Sequence, residues 1–310
     1  MRKQHIYFGV VACLFTALCC SCSSDEDLTA SGANDNYFKV TVDDMSEDAA
    51  LRRQFYEKNG IYLLFNDTLR HEYVGKDVAG EDAYFNELVD FNYNLTDVGS
   101  SEFDFSYLSS MADKRAAVDF VEKYVLPHFG GGGLVPYSFF LADKLMEYGY
   151  ANSSAWQKTW NDRACISCFR CMGLALGKVP SMTEDEKRAY ASEICIAILQ
   201  SKLTYTDERL DDFYAPADDL FYEYLEDVIP DWSDDDWDGD LSVAYEYGFL
   251  KIDGRWDLWF PSMANDFAYY FDLVMTKSED EVKATYGDYP LVMQRYYKLR
   301  EVVEAIGYKF

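Results

Sequence analysis

One stretch constrains the fold more than any other: Arg163-Ala-Cys-Ile-Ser-Cys-Phe-Arg-Cys-Met-Gly-Leu-Ala-Leu-Gly177. It is apolar, cysteine-rich and close to the middle of the chain, and it reads as a buried helix around which the flanking elements must pack. Cys165, Cys168 and Cys171 stand three residues apart, so on a helix they drift only about 60° per step and share a broad face. Thiolates ligate zinc, which makes that face a candidate metal region. The alternatives are buried thiols, one structural disulfide to Cys195 on the following helix, or redox chemistry. An iron–sulfur cluster would want a fourth cysteine where Ala175 stands.

The first residues set the expected address. A basic start, Met1-Arg-Lys, leads into an apolar run from Ile6 to Leu18 and then Cys19-Cys20-Ser21-Cys22. A short apolar core ending in small residues is a signal peptide rather than a membrane span. The arrangement resembles a bacterial lipoprotein signal, with Cys22 as the acylated residue and Cys20 or Cys19 as alternatives. Ser23-Ser24-Asp25-Glu26-Asp27 resembles the surface-export signal of Bacteroidetes lipoproteins. We therefore expect a signal peptide over 1–21, a lipid-anchored flexible tether over 22–36 and one domain over 37–310. Acyl chains contribute about 0.8 kcal/mol per buried methylene, enough in pairs to hold such a domain at an outer membrane. No later stretch is long and apolar enough to span.

Charge narrows the partners. The chain carries 28 Lys and Arg against 55 Asp and Glu, a net charge of -27, and cleavage of the signal removes Arg2 and Lys3 to give -29. So negative a surface repels nucleic acid and anionic headgroups. Aromatic residues make up 17 % of the chain, which supports a sizeable core and suits sugar or peptide binding wherever rings are exposed.

Along the domain, Met45 to Lys58 has helical apolar spacing and stops at Asn59-Gly60, and Ile61 to Phe65 reads as a buried strand. Ser106 to Val125 has the 3.6-residue pattern of a second helix. Leu134 to Leu141 reads as a strand, with Pro136 near its start. Thr183-Glu-Asp-Glu186 is a capping-box pattern opening a helix with Ile194, Ile198 and Leu199 on its apolar face. His71-Glu72 lacks the second histidine of His-Glu-x-x-His, and His128 is far away. Asp234, Asp236 and Asp238 occupy positions 1, 3 and 5 of a calcium-loop pattern with Gly239 at position 6. Position 12 is Tyr245 rather than Glu, so the segment is either a calcium site or a solvated acidic loop.

Three blocks, taken together, resemble one family. They are Phe91-Asn-Tyr-Asn-Leu-Thr96; the helix and strand over 106–141; and Tyr245-Glu-Tyr-Gly-Phe249 with Phe260-Pro-Ser-Met-Ala-Asn-Asp-Phe-Ala-Tyr-Tyr-Phe271 and the helical run from Tyr289 to Ile306. In that order the chain resembles the zinc-binding metallopeptidase-like lipoproteins of Bacteroidetes, also described as substrate-import-associated zinc metallohydrolase lipoproteins. The resemblance implies a zincin-like α+β fold: a small sheet, an active helix carrying His-Glu-x-x-His, and a mostly helical C-terminal part. It also implies company with TonB-dependent outer-membrane import pairs that take up glycans or peptides. The active helix would fall between the second strand and the acidic aromatic region, at Arg163–Gly177, where there is no histidine. The block expected to supply a third ligand reads Asn265-Asp266-Phe267-Ala268-Tyr269. No catalytic residue carries over, and no zinc is expected. The expectation is a binding or accessory lipoprotein with a degenerate metal site. The alternatives are a hydrolase using cysteine-ligated metal or a carboxylate pair, or a scaffold subunit.

Overall fold

The computed structural model describes residues 35–89, 91, 102–130, 134–150, 156–234, 239–255 and 257–310. Cys22 and the signal segment lie outside the described residues, as does the tether up to residue 34. The chain divides into an N-terminal unit, Met1–Tyr37, of which only residues 35–37 are described, and a body, Phe38–Phe310. The body is α+β, with a mixed sheet followed by a mainly helical C-terminal part.

Helix α1 (Glu47–Asn59) starts where the Ser46 hydroxyl accepts the Ala49 N–H and stops at Gly60, whose φ of 70° a glycine adopts without strain. Strand β1 (Tyr62–Leu64) follows, then a separate antiparallel hairpin of β2 (Thr68–Lys76) and β3 (Asp82–Leu88). Strand β4 (Glu102–Tyr107) precedes α2 (Met111–Phe120), which one π-helical turn extends over Val121–Val125. The second helix therefore begins later than its periodicity predicts, because Ser106 and Tyr107 pair in the sheet.

Strand β5 (Ser138–Tyr150) is the axis of the sheet. Its first half lies between β1 and β8 (Met172–Ala175), both parallel to it. Its second half lies between β4 and β6 (Lys158–Arg163), both antiparallel. Phe139, Phe140, Leu141 and Ala142 are all fully buried, as expected of a strand covered on both faces. Phe139 and Leu141 join the large core with the helices, while Phe140 and Ala142 join a smaller one with Phe38 and Phe91. Opposite Ser106 and Tyr107 the register slips by one residue, so Leu145 returns to the face of Phe140 and Ala142. The apolar run predicts a strand over Leu134–Leu141; it starts instead at Ser138 and runs on to Tyr150, where polar residues belong to a more exposed continuation.

The central helix expected over Arg163–Gly177 does not form. The segment is the end of β6, then β7 (Cys165–Ser167), a short turn and β8, an antiparallel hairpin at the sheet edge. A short apolar run has no period that separates buried helix from buried strand. Here the open edge of β5 decides, pairing Phe139 with Met172 through Ala142 with Ala175. Gly173 allows the close packing: a Cβ there would lie 3.3 Å from Leu145 Cδ1 and 3.5 Å from the Phe91 ring.

Helix α3 (Glu184–Gln200) has the expected capping box between Thr183 and Glu186, and buries Ala191, Ile194, Cys195, Ile198 and Leu199. Short helices α4 (Asp211–Tyr214), α5 (Leu225–Val228) and α6 (Ser242–Glu246) lead to a two-stranded pair, β9 (Asp253–Gly254) and β10 (Leu258–Trp259). Helices α7 (Met263–Thr276), α8 (Glu279–Tyr286) and α9 (Pro290–Ile306) complete the chain. Between α7 and α9 the fully buried Arg295 and Asp266 face one another. Arg295 also donates to the backbone oxygens of Phe213 (3.0 Å) and Gly248 (2.8 Å), and lies within 6 Å of the Phe213, Phe249 and Tyr270 ring centres.

Candidate functional site

The second half of β5, together with β6, forms a ribbon whose base opens into a basin of about 260 Å³ beside α3. Asp143 and Lys144 from β5, Asp162 from β6, Lys178 from the turn after β8, and Tyr190 and Glu193 from α3 line it. Asp143, Lys144, Asp162, Lys178 and Glu193 make no side-chain hydrogen bond or ion pair among the described residues. Three carboxylates and two ammonium groups are thus gathered around one concavity without being consumed by each other.

Two contacts fix the basin. The Tyr190 hydroxyl donates to the Ala175 carbonyl at 2.6 Å, tying α3 to the end of β8. Burial raises its pKa, with nearby Glu193, Cys165 and Asp162 adding to the effect, so the phenol keeps its proton. Asp143 lies directly over Gly177: a Cβ on Gly177 would come within 1.7 Å of Asp143 Oδ1. Only a residue without a side chain lets the carboxylate sit there.

Beyond the basin the ribbon is aromatic. Tyr148 pairs across the strands with Trp160, their ring centres 5.5 Å apart, and Tyr150 pairs with Lys158, whose ammonium lies 5.8 Å from the tyrosine ring centre. These rings are exposed, as is Trp156 at 96 %. Strand alternation puts Lys144, Met146, Tyr148 and Tyr150 on one face, with Asp162 and Trp160 as the cross-strand partners of Met146 and Tyr148. Charged groups that accept or donate hydrogen bonds therefore lead directly into flat rings.

The residues singled out from sequence are distributed otherwise. Cys165 packs against the core containing α3 and Cys195, while Cys168 and Cys171 pack into the smaller core on the other side of the sheet. The shared cysteine face expected of a helix is therefore corrected: a hairpin alternates its side chains, so the three thiols do not converge. No disulfide joins Cys165, Cys168, Cys171 and Cys195. Burial pushes the Cys165 and Cys195 thiols up to about 12 and Cys171 higher still, which favours the protonated form that does not bind metal. Among the described residues no group of three His, Cys, Asp or Glu side chains is placed to hold a metal ion.

Asp234 accepts the indole N–H of Trp232 on one oxygen and the Leu258 N–H, at 2.9 Å, on the other, so it latches its loop to β10. Asp236 and Asp238 lie outside the described residues. Asp266 is the carboxylate of the buried Arg295 pair, and Asn265 donates to Asp253 at 2.6 Å. His71 stacks on Tyr84 and His128 on Tyr308, in separate parts of the body.

Sequence reading missed the basin. Its one local signal is polar and aromatic alternation from Asp143 to Tyr150; the approach of Glu193 and Lys178 depends on tertiary packing. A larger groove of about 520 Å³, beside the π-helical turn, is a different case. Its lysines are already paired, Lys58 with Glu122 at 2.6 Å, and Lys123 and Lys187 with Glu184 at 3.0 and 3.5 Å. No protein-family model, curated protein or solved structure matches the chain.

Proposed function

We propose that this chain is a lipid-anchored, surface-exposed binding or accessory protein of outer-membrane nutrient import, on a zincin-like fold whose zinc site has been lost. The N-terminal lipoprotein pattern, with Cys22 acylated, supports the address, and the acidic surface supports a ligand other than nucleic acid. A TonB-dependent import pair is the expected partner.

The observation that carries the reading is the sequence of α3. The body has a small sheet, then this 17-residue helix, then a helical C-terminal part, the order implied by the resemblance to metallopeptidase-like lipoproteins. Helix α3 falls between β5 and the acidic aromatic region, the place first assigned to Arg163–Gly177. It reads Ser192-Glu193-Ile194-Cys195-Ile196, a glutamate with serine before it and isoleucine three positions after it. His-Glu-x-x-His needs imidazoles at both places, one helical turn apart. A helix keeping the glutamate and lacking both imidazoles lines a basin fit to hold a ligand by hydrogen bonds, with the ribbon's rings to stack on it. Glycan hydroxyls or peptide groups suit that combination.

The test is native affinity electrophoresis of the mature chain through amylopectin, galactomannan and arabinoxylan, with calorimetric titration of a casein peptide digest. Retention or heat with one of these is expected, and Trp160→Ala should weaken it about ten-fold, equivalent to about 1.4 kcal/mol. Failure of every probe would remove the binding reading and leave the scaffold role. A second reading, a hydrolase using a carboxylate pair, draws on Asp143, Asp162 and Glu193 around one basin. Turnover of any probe that Glu193→Gln abolishes would establish it instead.

A further inference from the structure

The hairpin that replaces the expected central helix changes what its cysteines can do. Ser167 and Met172 are paired in the antiparallel ladder of β7 and β8, so the next pair outward is Cys168 and Cys171. The Cys168 N–H donates to the Cys171 carbonyl at 2.9 Å, closing a loop whose tip is Phe169-Arg170. Opposed residues in such a ladder have Cα atoms about 4.5–5.5 Å apart and side chains on one face. That separation falls within the span of about 4.4–6.8 Å that a disulfide bridges. Both residues pack into the same small core with Ile166, whereas Cys165 and Cys195 belong to the other side of the sheet. The Ser138 hydroxyl donates to the Arg170 carbonyl at 2.9 Å and holds the tip against the start of β5. The same Cys-x-x-Cys spacing is a poor disulfide on a helix and a favourable one here.

We propose that Cys168 and Cys171 are a disulfide-forming pair that staples the tip of the β7–β8 hairpin when the chain meets a disulfide oxidant. With oxidised glutathione, the Cys168 thiol, the more exposed of the two, loses its proton and attacks one glutathione sulfur. The glutathione S–S bond breaks, one glutathione thiol leaves, and a mixed disulfide remains on Cys168. The Cys171 thiol then loses its proton and attacks the Cys168 sulfur, expelling the second glutathione thiol. One S–S bond forms, one breaks, and two electrons pass from the protein to glutathione. The inference stands on the hairpin alone and does not depend on what the basin binds.

Trypsin tests it, because cleavage after Arg170 separates the two cysteines. Folded full-length chain is incubated with oxidised glutathione, quenched in acid, alkylated under denaturing conditions, digested and analysed by mass spectrometry. Peptides 164–170 and 171–178 should appear joined by a bond that a reducing agent cuts, in the wild type and equally in Cys165→Ser. The joined species should vanish in Cys168→Ser. Recovery of both peptides fully alkylated from oxidised wild type would overturn the proposal. So would loss of the linkage in Cys165→Ser, or a linkage to the peptide containing Cys195.

Discussion

Gly177 and Asp143 are the residues on which the basin turns. A methyl group at Gly177 would meet the Asp143 carboxylate at 1.7 Å and its backbone oxygen at 2.8 Å, and the backbone cannot swing aside as a side-chain tip can. Gly177→Ala should therefore destabilise the chain by about 1–3 kcal/mol, read as a lower urea midpoint, and weaken ligand retention together with it. Glu184 supplies a pH test. Hydrogen bonds from Tyr124 and Lys123 hold its carboxyl down to about 2 from an ordinary 4.5. A depressed folded value means the stabilisation is complete above the unfolded value and is lost as pH falls from about 4.5 through about 2. Thermal unfolding across that window should fall more steeply for wild type than for Glu184→Gln, with the two curves converging at the acid end. At this scale, what was legible in the sequence was local. The box between Thr183 and Glu186 involves four consecutive residues, whereas Asp143 gains its meaning from a glycine on the far side of a hairpin.

Elements were readable where their period was long. Helices α1 and α3 could be placed by spacing and caps because thirteen and seventeen residues give a helical pattern room to repeat. The hairpin of β7 and β8 could not, since three and four apolar residues fit either period and only the free edge of β5 selects the strand. Packing of the C-terminal helices gives its own prediction. Arg295 and Asp266 are buried together between α7 and α9; burial raises the carboxyl pKa and Arg295 pulls it back. Asp266→Asn strands the guanidinium among aromatic rings and should cost about 3–5 kcal/mol in urea denaturation. Replacing both partners, as Arg295→Met with Asp266→Leu, should recover most of that loss, because no charge is then left unpaired.

For the whole molecule, composition implied a substantial core and a strongly acidic surface, the α+β class was expected from the resemblance alone, and the fold bears out that class. Among the described residues no helix is long and apolar enough to cross a membrane, and the attachment proposed is the lipid at Cys22. The helix that lines the basin is not marked in the sequence, because α3 carries no histidine or other chemical signature. Only the packing of α3 against the sheet brings Glu193 into one basin with Asp143 and Asp162. On the proposed reading, Ser192 and Ile196 stand where a zinc-binding relative would carry imidazoles, and Glu193 lines a binding basin in place of a zinc centre. Elemental analysis of the purified mature chain, after incubation with zinc and gel filtration, tests that account most directly. Because no three ligands converge among the described residues, the protein should retain less than about one zinc per ten chains. One zinc per chain, lost when Glu193 or the cysteines are replaced, would contradict it.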